Sequence, residues 1–372
     1  MTAPTYSPGL EGVIAGETAI GCVDQGQLLY RGYPIQELAE KTTFEEVAHL
    51  LIYGELPKPA ELSQFRRTLF SFRQLAPQVL QALRLIPTDP PMMDVLRTCV
   101  SMSGHFDPVK DDSPDDLRRR AVWLLAGIST IVAARYRFLQ HKEPVEPKEG
   151  LSHAAQLLYQ CHGTEPDQQS AKLIDLTLIL YAEHEFNAST FANRICASTL
   201  SDMVSCVVCG IGTLKGPLHG GANEEAMKML KQFKTADDAR KWIRNALTKG
   251  EKVMGFGHRV YKHGDHRARI LEDEMRKLAK QKHQEHWIEI YDAIKIPMEQ
   301  EKKIFPNVDY PCGLVYYLLD LPIDIYTPLF VAARVTGWCA HYIEQVTNNR
   351  IYRPLSVYTG PPRRPVPPIN QR

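Results

Sequence analysis

The sequence predicts an all-α protein of two domains with a small N-terminal β-hairpin. Three observations carry this reading. Apolar residues recur at helical spacing along most of the chain, strand signals are confined to about the first forty residues, and 372 residues exceed what one hydrophobic core usually holds.

The hairpin is expected from Gly12 to Ile20 paired with Gln27 to Tyr30. Thr43 with Glu46 three residues later then forms a capping box ahead of Val47, Leu50 and Leu51, and Gly54 supplies a stop. Ser113 is a cap, Pro114 a first-turn proline, and Asp115 and Asp116 suit a helix N-terminus. A long amphipathic helix follows through Leu117, Ala121, Leu124, Leu125, Ile128 and Val132, which share one face. Similar periodicity marks Leu173 to Leu180, the trio Leu271, Met275 and Leu278, and Leu329 to Ile343. Ile195 to Leu214 approaches bilayer length, but it carries Asp202, Gly210 and Gly212, so it reads as a helix buried in the core or between subunits.

Proline- and glycine-rich breaks fall at Pro87 to Pro91, Gly216 to Gly221, Phe305 to Gly313 and Pro322 to Pro328. The second and last bracket a more charged segment. The expected division is therefore a large domain from 1–220 and 322–372, with a smaller domain inserted at 221–321. The tail from Gly360 to Arg372, rich in proline and arginine, cannot build a core. It is expected to lie over a partner subunit or to be disordered.

Lys+Arg 44 against Asp+Glu 43 leaves a net charge of +1, so no global field recruits nucleic acid or an anionic membrane. Anionic ligands must then be held by local clusters. The eight cysteines are scattered among apolar residues, as reduced thiols are, and Cys206-Val207-Val208-Cys209 lacks the second pair that a zinc ribbon needs. These read as helix-core thiols. Met1 to Pro8 is neither basic nor apolar, and a cytoplasmic location is the simplest expectation.

Five constellations carry possible chemistry. In Gly216-Pro217-Leu218-His219-Gly220-Gly221, a histidine stands among glycines before a helix. A helix N-terminus disfavours imidazolium, so His219 could donate to a carbonyl that becomes enolate-like, or be a turn histidine packed on its own loop. Gly255-Phe256-Gly257-His258-Arg259-Val260-Tyr261-Lys262 offers exposed amides and cations suited to phosphate, but no dinucleotide fingerprint. Arg267 beyond it is a carboxylate clamp or a solvated helix-start residue. Asp309, between Pro306 and Pro311 in an apolar turn, is a base with a raised pKa or a helix cap.

Glu183, His184 and Glu185 are adjacent on a helix end, point in different directions, and lack metal-ligand spacing. No metal is expected there. Arg334, within the apolar run Phe330 to Ala333, needs an anionic partner, and Arg353 stands beside Pro354. A bound dicarboxylate would satisfy both.

Together the blocks Glu183 to Thr190, Gly216 to Glu224, Gly257 to Lys262 and Asn307 to Asp309, in this order and spacing, resemble the citrate synthase family over nearly the whole chain. The resemblance implies a mostly helical homodimer, possible higher assembly, and condensation of acetyl-CoA with oxaloacetate. It makes Asp309 the base, His219 the donor to the thioester carbonyl, and His258 the group that polarises the ketone. It gives oxaloacetate to His184, Arg267 and Arg334, with Arg353 contributed by the other subunit. CoA is expected along Val253, Gly255, Phe256 and Gly257, with Arg259, Lys262, Asn307 and Phe330 nearby. No metal or redox cofactor is implied.

Two departures from the family pattern stand out. Tyr310-Pro311-Cys312-Gly313 replaces an aromatic and serine run, and His266 replaces a proline, which is expected to loosen the loop that aims Arg267. The nearest rival is 2-methylcitrate synthase, which takes propionyl-CoA; one methylene in an apolar pocket changes selectivity by only about 1–3 kcal/mol. Rivals from other classes are a metal-dependent hydrolase with His184, His219 and His258 as ligands, and a catalytically silent helical assembly protein.

Overall fold

The computed structural model describes residues 6–258, 260, 261 and 264–372. Near the N-terminus three short antiparallel strands run in order: β1 (Gly21–Asp24), β2 (Gln27–Tyr30) and β3 (Tyr33–Pro34). The hairpin therefore begins later than expected. Asp24 pairs with Gln27 and Gly21 with Tyr30 across a two-residue turn, where Gln25 and Gly26 both take positive φ (48° and 83°), as such tight turns require. The stretch 12–20 forms no strand.

Helices follow: α1 (Ile35–Lys41), α2 (Phe44–Tyr53), α3 (Pro59–Ser71), α4 (Pro77–Leu85), α5 (Met92–Ser103) and α6 (Pro114–Leu139). Next come α7 (His153–His162), α8 (Gln168–Tyr181), α9 (Ala188–Ser198), α10 (Met203–Leu214), α11 (Ala222–Leu230) and α12 (Ala236–Lys249). The last four are α13 (His266–Gln281), α14 (His286–Glu301), α15 (Asp309–Leu318) and α16 (Tyr326–Thr347). The expected caps are in place. Glu46 accepts the Thr43 N–H at 2.8 Å, Gly54 ends α2 at φ 96°, and Ser113 Oγ accepts from Asp116 N at 3.2 Å.

The segment Ile195 to Leu214 is two helices rather than one. Leu200 adopts φ 61° and Asp202 caps α10 through Ser205 N, so the chain turns between α9 and α10. Phe305 to Gly313 is likewise only partly a break: α15 starts at Asp309 and runs on past Pro311, which sits in its first turn, where proline costs no hydrogen bond.

α16 is the central element. Every residue from Tyr326 to Tyr342 is buried, and the helix packs on α6, α9, α10, α8 and α2. α10 approaches it at Gly210, where a Cβ would lie 2.9 Å from the Trp338 ring. α6 is long and apolar enough to cross a membrane, but it packs against α16, α7, α3, α4 and α5 and most of it is buried, as a core helix is. Further along the chain, α11 and α13 pack on α15, and α12 packs on α14.

All eight cysteines are free. Cys206 is buried as expected on α10, whereas Cys209 and Cys22 are exposed. From 348 onward the chain is irregular and exposed, apart from the half-buried Tyr352 and a short 3-10 turn at Ile369–Gln371.

Candidate active site

α8 ends at Tyr181, and the turn after it carries Glu183, His184 and Glu185 in three directions. Glu183 Oε1 meets His341 Nε2 at 2.9 Å, His184 Nε2 meets the Tyr261 hydroxyl at 2.9 Å, and Glu185 accepts the Val23 N–H at 2.6 Å. His184 is buried, and its pKa is held well below the ordinary range by that burial and then by Arg267, His258 and Arg334. It is a neutral ring.

His219 lies in the turn before α11, but the helix N-terminus that acts on it belongs to α9. The Ser189 N–H, in the first turn of α9, donates to His219 Nε2 at 3.3 Å, and the Ser189 hydroxyl is 2.9 Å from the same nitrogen. Nε2 is thus an acceptor, which places the proton of the neutral ring on Nδ1. Burial, then Arg334, lowers its pKa to about 4. Ser189 Oγ is itself held by Trp338 Nε1 at 3.2 Å.

In His258 the pattern is reversed. Nδ1 accepts from Val260 N at 3.1 Å, so the proton sits on Nε2. Burial, then Arg267, lowers this pKa to about 4, with Asp265 opposing. The His184 and His258 ring centroids are 5.1 Å apart.

The loop ahead of His258 is laced to the loop ahead of α15. Gly257 N donates to Phe305 O at 2.9 Å, Asn307 N to Gly255 O at 2.9 Å, and Asn307 Nδ2 to Gly257 O at 3.0 Å. Gly255, at φ 81°, is needed here, because a Cβ would lie 2.8 Å from that of Tyr310. Val253 and Phe256 are buried, Phe256 against Tyr310. Arg259 and Lys262 lie outside the described residues.

Asn307 Oδ1 also accepts the Asp309 N–H at 3.1 Å and starts α15. The Asp309 carboxyl is pushed up to about 6; burial is the chief cause, opposed by a hydrogen bond from Tyr181 and by Arg267 and Arg334. The Tyr181 hydroxyl donates to its Oδ1 at 2.6 Å.

Two buried arginines complete the cluster. Arg267 is clasped by Asp265: its backbone N–H and Nε donate to Oδ1 at 3.0 and 3.1 Å, and its Nη2 to Oδ2 at 2.9 Å. Burial works against its charge, but Asp265, with Tyr261 and Tyr30, more than offsets this. The loop is therefore held, not loosened by His266, because Asp265 both caps α13 and orients the guanidinium. Arg334 donates from Nε to Tyr181 O at 2.7 Å and stacks 4.8 Å over the Phe330 ring. Burial works against its charge and Glu183 is the chief group that favours it, but among the described residues no carboxylate is within ion-pair distance of it.

On α16, Phe330, Arg334, Trp338 and His341 share one face, and through it they reach the Tyr181 ring (4.2 Å), the Tyr181 carbonyl, Ser189 and Glu183 in turn. The structure thus brings Asp309, His219, His258, His184, Arg267, Arg334 and Phe330 into one linked cluster. Arg353 is not in it. Its side chain is exposed beyond Tyr352, which is anchored to Ser198 Oγ at 3.1 Å. Sequence reasoning missed Tyr181, Ser189, Tyr261, Asp265 and Trp338, although Ser189, Tyr261 and Asp265 lie inside or beside motifs it singled out.

No group of three or more metal-ligating side chains is formed among the described residues. A cavity of about 400 Å³ lies elsewhere, between Phe72, Leu75, Trp123 and Gly127, and contains none of these groups.

The profile described as citrate synthase, C-terminal domain, matches residues 9–355. The chain is 42% identical to the 2-methylcitrate synthase of Mycobacterium tuberculosis (strain ATCC 25618 / H37Rv) over 99% of this chain and 95% of that protein. It is 41% identical to the citrate synthase of Mycolicibacterium smegmatis over 97% of each. The citrate synthase of Thermoplasma acidophilum, solved as a ternary complex with carboxymethyl coenzyme A and oxaloacetate, superposes over 100% of both chains with TM-score 0.93 at 34% identity.

Proposed function

Because the chain belongs to the citrate synthase family, we propose that it condenses acetyl-CoA with oxaloacetate and hydrolyses the resulting citryl-CoA to citrate and CoA. The observation that carries the reading is the pairing of one carboxyl pushed up to about 6, Asp309, with two imidazoles that stay neutral at working pH and present opposite nitrogens as donors.

Asp309 removes a proton from the acetyl methyl group. His219 Nδ1–H donates to the thioester oxygen as negative charge develops there, and His258 Nε2–H polarises the ketone of oxaloacetate and then protonates the new alkoxide. Arg267, Arg334 and His184 hold the carboxylates of oxaloacetate, for which the planar fork of arginine is suited. The lack of an ion-pair partner for Arg334 among the described residues supports this role.

CoA runs along the loop at Gly255 and Gly257 beside Asn307 and Phe330, with Arg259 and Lys262 toward its phosphates. Residues 221–321 close over both substrates, which delays water until the carbon–carbon bond has formed. The working unit is a homodimer in which the exposed arm from 348 onward reaches the partner and Arg353 completes the partner's site. Higher assembly is compatible with this. The chemistry calls on carboxylate, imidazole and guanidinium groups throughout and needs no metal or redox cofactor. Unpaired cysteines support a cytoplasmic location.

A second reading, 2-methylcitrate synthase acting on propionyl-CoA, is favoured by relatives of that name at the same level of identity. Thiol release measured with each acyl-CoA, with and without oxaloacetate and with a chelator, separates the readings. Oxaloacetate-dependent release that ignores the chelator is expected, faster with acetyl-CoA. A decisive propionyl-CoA preference moves the assignment to the second reading, and release that zinc restores after chelation overturns both.

A further inference from the structure

Tyr181 closes α8 at the centre of the cluster, 1% exposed, and its three parts point to three partners. The carbonyl accepts from Arg334 Nε at 2.7 Å, the ring packs 4.2 Å from that of Phe330, and the hydroxyl donates to Asp309 Oδ1 at 2.6 Å. A buried phenol must find a partner, and a hydroxyl on a carboxylate is among the stronger ones. Burial, and then Asp309, raise the phenol's own pKa well above its ordinary value, so it keeps its proton and acts only as a donor toward the carboxylate.

We propose that Tyr181 is a positioning residue for the base: its hydroxyl occupies Oδ1 of Asp309, leaves Oδ2 to take the substrate proton, and keeps the carboxylate ionised near neutral pH. The inference rests on the reading of Asp309 as the base. The other groups that bear on Asp309 are Arg267 from α13 and Arg334 from α16, which favour the carboxylate, Asp265 from the loop before α13, which disfavours it, and the Cys312 thiol one turn along α15. The two arginines are the groups that the bound dicarboxylate neutralises. Once it binds, their help to Asp309 weakens, and the Tyr181 hydrogen bond becomes the main local interaction favouring the ionised base. In the transfer itself the C–H bond of the acyl methyl breaks, its electron pair enters the enolate, and the proton forms a new O–H bond at Oδ2. Tyr181 retains its own proton throughout.

The test is the pH dependence of kcat/KM for the acyl-CoA at saturating oxaloacetate, in the full-length protein. With oxaloacetate bound and the help of the arginines weakened, the acid limb of the unmodified enzyme is expected above the Asp309 value of about 6 that holds without it. Y181F removes only the hydroxyl and should move that limb up by roughly one to two pH units, since a hydrogen bond to a charged group contributes about 1.5–3 kcal/mol. The KM for oxaloacetate should stay within about twofold, because the Arg334 bond is to a backbone carbonyl that phenylalanine retains.

Substitution of Tyr181 by 3-fluorotyrosine, a stronger donor of nearly the same shape, should move the limb down. This second variant keeps the test open if Y181F folds poorly. A limb that stays in place in both variants overturns the proposal. An active D309N, in contrast, overturns the reading of Asp309 on which it rests.

Discussion

Arg267 and Asp265 form a buried ion pair, 2.9 Å from Nη2 to Oδ2, and the same carboxylate oxygen accepts the Val308 N–H at 3.1 Å. One side chain thereby ties Arg267, proposed to hold oxaloacetate, to the residue before Asp309, the proposed base. Asp265→Asn should raise the KM for oxaloacetate at least about tenfold and lower stability by about 3 kcal/mol, because a buried guanidinium loses its counter-charge. Steady-state kinetics with urea unfolding checks both, and an unchanged KM would show that Arg267 needs no such guide.

The two imidazoles and the carboxylate predict a simple pH profile. His219 and His258, each near 4, are already neutral where Asp309, near 6, loses its proton. Above about pH 5 the logarithm of kcat/KM for the acyl-CoA should therefore climb with a slope of one and then level. A slope of two across that range would mean that a histidine titrates together with the aspartate.

Asp309 should cost stability as well as provide catalysis. Its folded pKa of about 6 lies above the roughly 3.9 of an unfolded aspartate, so the folded state binds more protons between those values. Stability then falls as pH rises through that window and remains lower above it. Asp309→Asn should raise stability by roughly 1–3 kcal/mol at pH 7.5 and by almost nothing at pH 4, while reducing thiol release by about 10² to 10⁴-fold. Thermal unfolding at both pH values is the measurement, and a destabilised variant at pH 7.5 would contradict the sign.

Arg353 lies outside the cluster formed by its own chain. If the arm crosses to a partner, Arg353→Ala and Asp309→Asn should each be inactive alone, yet chains mixed by co-expression should recover about a quarter of full activity, because half of a random population pairs one intact site. No recovery in verified hybrid dimers would place Arg353 in its own chain's site or outside catalysis.

Local signals were the readable ones. The Thr43 capping box and the Ser113 start each involve residues within one helical turn, and both formed as expected. The blocks around His184, His219, His258 and Asp309 stood out as short runs, but a structural reading stayed open for them, and their roles came from the family resemblance. What stayed hidden depends on distant partners. Tyr181 and Asp309 are separated by 128 positions, and nothing beside Tyr181 distinguishes it from another apolar residue at a helix end. The exposed amides expected of the glycine-bracketed turn were not legible as they stand, because the Gly257 amide is committed to Phe305, a partner 48 positions away. The strand expected at 12–20 failed because Gln25-Gly26, with positive φ at both residues, fixes which residues can pair.

The shared face of α16 constrains how this chain can vary. Inserting one residue between Phe330 and Trp338 would rotate everything beyond it by about 100°, which would turn Trp338 away from Ser189 and His341 away from Glu183. Length changes within this helix are therefore barred even where individual side chains are exchangeable, and divergence there is restricted to substitution in fixed register.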